Sequence, residues 1–237
     1  MAINTKYRTQ EAEIMDDFSL QGRELQAALD QIARINQLLG GNKVTLNGIK
    51  EFLKKVDSSK TITIADVGCG NGDMLRMLAE YGLKKNYNFK LIGIDANAFT
   101  VNYAKTLSNE YANIEYICLD IFSEDFAKIK YDIVLCTLTL HHFTNEQILN
   151  IIAIFNNNAS MGIIVNDLHR SKLSYKLFEI ICMLFNLSKM SREDGLVSIL
   201  RGFKKNELEE FSKKLNLKNY TINWKWAFRY QWIIAKI

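Results

Sequence analysis

With 237 residues, 48% of them hydrophobic and 24% charged, the chain has the balance of one folded globular unit and lies far from the composition of disordered chains. Its net charge of +4 is spread over short pairs such as Lys54-Lys55, Lys84-Lys85 and Lys213-Lys214, which read as solvated helix faces and argue against a nucleic-acid surface. Four cysteines without CxxC spacing fit a reducing compartment, residues 1–17 lack the apolar core of a signal peptide, and the greasiest stretch, 177–187, is too short to cross a bilayer, so a cytoplasmic location is expected.

In chain order, apolar residues first recur at helical spacing at Leu25, Leu29, Ile32, Ile35 and Leu39, up to Gly40-Gly41. A second stripe follows at Leu46, Ile49, Phe52, Leu53 and Val56. Residues 1–60 are read as a helical cap, with Tyr7, Arg8 and Phe18 as closing contacts of a lid. The pattern then changes to short apolar runs alternating with helical segments, the mark of βαβ units in a parallel sheet. Strands are predicted at 61–67, 89–95, 114–118, 131–138 and 162–166, and helices over 74–81, 99–111 and 146–156, with an irregular piece near Phe126.

Beyond the fifth strand the spacing predicts a helix over 173–187, a polar connection, and a helix over 205–215. The first of these is apolar on nearly every side, so it is expected to be buried against protein, a greasy ligand or a membrane face; a homodimer partner is one way to seal it. Segments 220–226 and 228–237 read as a closing antiparallel hairpin, whose aromatics Trp224, Trp226, Phe228, Tyr230 and Trp232 are assigned to the core first and to pocket contact second.

The first predicted strand runs directly into Asp66-Val67-Gly68-Cys69-Gly70-Asn71-Gly72-Asp73. A tight turn after a buried strand needs glycine for its backbone angles and for close approach of a ligand, which points to a nucleotide site. The dinucleotide fingerprint is GxGxxG, whereas here the third glycine comes one residue early and Asp73 follows. A carboxylate there would repel a pyrophosphate, so the ligand should carry no phosphate, and its positive end would welcome Asp66.

These residues resemble the first motif, hhDhGxGxG, of the class I S-adenosylmethionine-dependent methyltransferases, and His141-His142-Phe143 with Asp167-Leu168-His169-Arg170 look like the small-molecule, secondary-metabolite or quinone-type enzymes of that class. The resemblance covers about residues 61–166 and extends loosely to the hairpin. It implies an α/β, Rossmann-like sheet of seven strands, five parallel plus the terminal antiparallel hairpin. It also implies a domain over 61–237 with an acceptor-pocket insert at about 171–202, and S-adenosyl-L-methionine as cofactor. Asp66, Gly68, Cys69, Gly70 and Gly72 would then surround the cofactor. Asp95, 23 positions after Gly72, would accept both ribose hydroxyls, and Asp120 the adenine amino group, with Ala96 or Ile121 against the ring and Thr137 completing the contacts.

In an open α/β sheet ligands sit beyond the carboxyl ends of the strands, so the ends of strands four and five should face the transferable methyl. All three histidines lie there, in Leu140-His141-His142-Phe143 and Asp167-Leu168-His169-Arg170. A phenol or carboxylic acid acceptor gains from a base near neutral pH, which assigns His142 or His169 to the acceptor's proton, with Arg170 or Asp167 orienting the acceptor. The competing reading makes His141 and His142 packing or capping residues. No metal is expected, because no Cys or His pair has a zinc spacing. The chain has no proline, which removes the Pro-Pro motif of enzymes methylating adenine, cytosine or glutamine amides, and Cys136 lies inside an apolar strand. The expected function is methyl transfer to a small apolar or aromatic acceptor, oxygen favoured; the rival is a non-catalytic S-adenosylmethionine-binding regulatory or assembly protein.

Overall fold

Alternation along Thr61–Val67, β1, decides the layering: Ile62 and Ile64 point into one core, Ala65 and Val67 into the other. The computed structural model describes residues 3–54, 56–57 and 60–236. Lys55 and Ile237, named in the sequence reading, lie outside these residues, as do the first two residues of the expected cap.

Two helices, α1 (Arg23–Leu38) and α2 (Gly41–Leu53), precede β1. They are followed by α3 (Asp73–Lys85), β2 (Asn88–Asp95), α4 (Ala98–Leu107), β3 (Ile114–Cys118), β4 (Tyr131–Thr137), α5 (Asn145–Asn158) and β5 (Ala159–Leu168). Then come α6 (Lys172–Leu184), α7 (Lys189–Arg201), α8 (Lys205–Lys214), β6 (Tyr220–Lys225) and β7 (Arg229–Ala235). The strands form one seven-stranded sheet in the order β3-β2-β1-β4-β5-β7-β6, with β7 antiparallel to both β5 and β6. This is the α/β sheet with a terminal hairpin that the resemblance implied.

Helices cover both faces. Ile49 and Leu53 of α2 share a core with Leu75 and Leu78 of α3 and Val101 of α4, so α2 is packed into the body of the domain. On the other face Ile148, Ile152 and Phe155 of α5 and Phe211 of α8 pack on Val134, Val165 and Trp232. Helix α5 opens on a capping box in which the Thr144 hydroxyl accepts from Gln147 N at 3.3 Å and the Gln147 side chain accepts from Thr144 N at 2.9 Å. Thr144→Ala should cost about 1 kcal/mol of unfolding free energy in urea melts, and an unchanged midpoint would show the box to be dispensable.

Three expectations are corrected here. The polar connection before α8 is helix α7, missed because its inward face carries Ser191, Asp194 and Ser198 among the buried residues and so shows no apolar stripe. Helix α6 is not buried all round: Leu177, Phe178 and Ile181 line a cavity, whereas Leu173, Met183 and Leu184 are exposed. In the hairpin Trp232 is fully buried, but Trp224 is exposed on the edge strand β6, and Trp226, in the turn after that strand, is exposed at the cavity. Among the described residues no helix is long and apolar enough to cross a membrane.

Candidate active site

The turn after β1 is keyed to the end of β2. Gly68 N and Cys69 N both donate to Ile94 O, at 2.8 and 3.2 Å, and Gly70 N donates to Asp95 Oδ2 at 3.2 Å. All three glycines take positive φ. At Gly72 a Cβ would stand 2.0 Å from the Tyr116 hydroxyl, so glycine is required by packing; at Gly70 nothing lies nearer than Leu29 Cδ2 at 3.7 Å, leaving open space in front of the backbone.

That space belongs to a cavity of about 850 Å³ at the carboxyl ends of the parallel strands. Asp66, Gly68, Cys69, Gly70, Asp95, Ala96, Asp120, Ile121 and Thr137 line it; Gly72 instead ends the turn into α3. Among the described residues, seven carboxylates line the cavity (Glu13, Asp16, Asp66, Asp73, Asp95, Asp120 and Asp194), against one guanidinium, Arg229, and no lysine. Such walls disfavour a pyrophosphate and suit a cationic nucleoside. Asp66 is buried with Oδ1 lacking any partner, and burial together with Asp73 and Asp95 pushes its carboxyl well above the ordinary range. Burial also raises Asp95, against the N–H groups of Asn97 and Gly70 that it accepts. An unpartnered buried acid and an open glycine turn are what a phosphate-free cation would fill.

The histidines differ in what they can do. His141 is buried; its Nδ1 lies 2.7 Å from Asp167 Oδ1, and its Nε2 has no partner. Burial works against the Asp167 charge, but His141 and two backbone N–H groups outweigh it and hold the carboxyl below the ordinary range. An ionised Asp167 places the ring proton on Nδ1 and leaves Nε2 as a bare acceptor. His142 Nδ1 contacts Asp16 Oδ1 at 2.6 Å. His169 lines the cavity but accepts from Trp224 Nε1 at 3.2 Å through Nδ1, so its neutral form carries the proton on Nε2 and offers no lone pair there. Arg170 is a correction to the sequence reading: it lies outside the cavity lining, fully buried, bridging both oxygens of Glu207 at 2.6 and 3.1 Å and the carbonyls of Thr5 and Lys6. Asp167, its partner in that reading, is committed to His141.

Residues that sequence reasoning missed come from the N-terminal segment and α7. Glu13 and Asp16 sit on a 3-10 turn, Ile14–Asp16, whose backbone N–H groups at Ile14 and Met15 donate to Asp194 at 2.7 and 3.0 Å. Asp16 also accepts from Arg201 Nη1 at 2.6 Å. Of the three expected closing contacts, Arg8 donates to the carbonyls of His141 and Phe143 at 2.7 and 2.9 Å, Tyr7 is exposed, and Phe18, also exposed, touches the cavity rim. Glu13 Oε1 has no hydrogen-bond partner and faces His141 Nε2 and Arg201 Nη1, both at 3.6 Å, and His142 Nδ1 at 3.8 Å.

Burial pushes the Glu13 carboxyl up to about 7, with His142, Ser198 and Arg201 pulling it down and Asp16 adding to the rise. A carboxyl that binds its proton more tightly in the fold favours the folded state below its unfolded pKa of 4.5, and that contribution is lost as pH rises through about 7. The ligand-free Tm should therefore fall between these two values, and Glu13→Gln should flatten the fall; an identical slope in the variant would mean that Glu13 is ionised throughout.

A family profile described as a methyltransferase domain matches residues 58–223. The chain is 32% identical over 90 residues to a malonyl acyl-carrier-protein O-methyltransferase of Acetivibrio thermocellus, covering 38% of this chain and 30% of that protein. It is 31% identical over 130 residues to a ubiquinone biosynthesis O-methyltransferase of Rickettsia conorii, covering 54% and 42%. The matches thus span less than half the length of these curated relatives. Among solved structures, a plantazolicin methyltransferase in complex with a substrate analogue and SAH is similar with a TM-score of 0.67 at 14% identity, over 88% of this chain and 90% of that one.

Proposed function

The chain belongs to the methyltransferase-domain family and has the class I fold, and from that premise we propose that it moves a methyl group from S-adenosyl-L-methionine to a small acceptor with an apolar or aromatic body, oxygen favoured. The observation that carries this reading is the buried, unpartnered Asp66 Oδ1 beside an open glycine turn, in a cavity whose walls are rich in carboxylates and nearly free of cations. Asp95 would accept the ribose hydroxyls with its oxygens pre-set by the Gly70 and Asn97 N–H groups, and Asp120 and Ile121 would take the adenine edge and face.

When bound, the cofactor supplies an electrophilic methyl carbon on a sulfonium. The chain's task is then to place and deprotonate the acceptor. His141 is the base this arrangement favours: with Nδ1 held by Asp167, its Nε2 would take the proton of the acceptor's heteroatom. Asp167 stabilises the resulting imidazolium through Nδ1, the role a carboxylate plays in hydrolase triads. His142, tied to Asp16, would hold the N-terminal segment against this end of the cavity. The far wall, Leu177, Phe178 and Ile181 with Ile32 and Ile35, fits an apolar acceptor body.

Two of the curated relatives are named O-methyltransferases and another, 24% identical over 122 residues, a phosphoethanolamine N-methyltransferase, so the relatives lean toward oxygen without fixing the acceptor. Incubation with methyl-labelled cofactor and a panel of phenols, carboxylic acids and amines tests the proposal. Labelled product is expected with an apolar hydroxyl or acid; cofactor affinity without turnover across the panel would favour a binding or assembly role instead.

A further inference from the structure

The guanidinium of Arg229 has the opposite problem to Asp66. It opens β7 at the top of the sheet, is only 3% exposed, lines the cavity, and has two donors, Nε and Nη1, without a hydrogen-bond partner. An arginine does not shed its charge at neutral pH, so a buried, under-partnered guanidinium marks a place where an anion is missing. Burial lowers its pKa to about 10, and the charge of Asp167 only partly opposes that.

Its surroundings connect it to the cofactor side of the cavity. A Cβ on Gly41 would stand 2.8 Å from the guanidinium carbon and 1.8 Å from Asn36 Oδ1, so these two groups converge on the same spot at the start of α2. Asn36 Nδ2 donates to Asn42 Oδ1, and Asn42 Nδ2 donates to Asp73 Oδ2 at 2.7 Å, at the first residue of α3 beyond the glycine turn. The buried polar chain thus runs from Arg229 to the turn that ends β1. In the same cavity lie a buried acid with one unpartnered oxygen, Asp66, and a buried guanidinium with two unpartnered donors, Arg229, a pair of groups complementary to an amino-acid zwitterion.

We propose that Arg229 is the seat of a carboxylate inside the cavity. Two ligands of the reading above could bring one: the methionine end of the cofactor or an acidic acceptor. The first source rests on the methyltransferase assignment; the seat itself does not. Arginine suits the role because its planar fork matches a carboxylate and its weak hydration makes it the cation best suited to a largely apolar wall.

Calorimetry on the full chain separates the sources, using adenosylhomocysteine, 5′-methylthioadenosine (the same base and ribose without the amino acid), 3-phenylpropionate and 3-phenylpropanol. If the cofactor supplies the carboxylate, Arg229→Met should weaken adenosylhomocysteine at least about tenfold and leave methylthioadenosine within about threefold. If the acceptor supplies it, adenosylhomocysteine should be unchanged, and the preference for phenylpropionate over phenylpropanol should be present in the wild type and lost in the variant. The ligand-free variant should melt no lower than the wild type, since the substitution removes an unsatisfied charge and keeps the stem. Unchanged affinity for all four compounds overturns the seat. Should the variant fail to fold, the wild type alone decides: adenosylhomocysteine no tighter than methylthioadenosine, together with phenylpropionate no tighter than phenylpropanol, also overturns it. Absence of binding by either nucleoside counts against the methyltransferase reading and leaves the phenylpropionate comparison standing.

Discussion

Asp95→Ala is expected to weaken adenosylhomocysteine by about 10²–10⁴-fold, more than any other single change on the cofactor side of the cavity. Hydrogen bonds to a charged group contribute about 1.5–3 kcal/mol each, and two ribose hydroxyls would be lost together. The same carboxylate accepts Gly70 N at 3.2 Å and Asn97 N at 3.0 Å, so its removal also loosens the turn that must lie against the ligand. Asp95→Asn keeps the shape and should fall between the two, separating lost charge from lost architecture. Calorimetric affinities for Asp95→Ala within about threefold of the wild type would show that the ligand's sugar lies elsewhere.

On the acceptor side, His141→Ala should lower kcat by about 10²–10⁴, the usual range for a positioned base, while changing cofactor affinity little. Asp167→Asn should follow it, because Asp167 sets the tautomer that leaves Nε2 bare. His169→Ala should turn over nearly normally, since Trp224 already occupies its acceptor nitrogen. These outcomes are measured with whichever acceptor gives labelled product. Normal turnover in His141→Ala, or a collapse in His169→Ala alone, would move the base to the other strand end.

The half of the cavity that the proposal gives to the cofactor was legible because its residues are local. A strand, a glycine turn and acids at successive strand ends are short patterns, and β1 and β3 fall where their apolar runs placed them. Even the left-handed residue Leu138, φ 53°, which ends β4 one residue before the expected boundary, is a detail of a correctly placed strand. The acceptor half was not legible, because its key pairs join distant segments. Glu13 meets His141 and Ser198, Asp16 meets His142 and Arg201, and Arg8 meets the carbonyls after β4. Nothing in a polar N-terminal stretch announces that its acids will be buried, and α7 hides its inward face by making it of serine and aspartate. Arg170 misled for the opposite reason: it stands at the right strand end, yet Glu207 claims its side chain.

The burial of Asp66 carries a thermodynamic signature of its own. Burial and two neighbouring acids push its carboxyl up, so a cationic guest beside Oδ1 would draw the carboxyl toward its ionised form. Any proton given up on capture of that guest would pass to the buffer, so the heat of association measured in phosphate and in Tris should differ in proportion to the difference between the ionisation enthalpies of the two buffers, and equal heats would show that the carboxyl keeps its charge throughout.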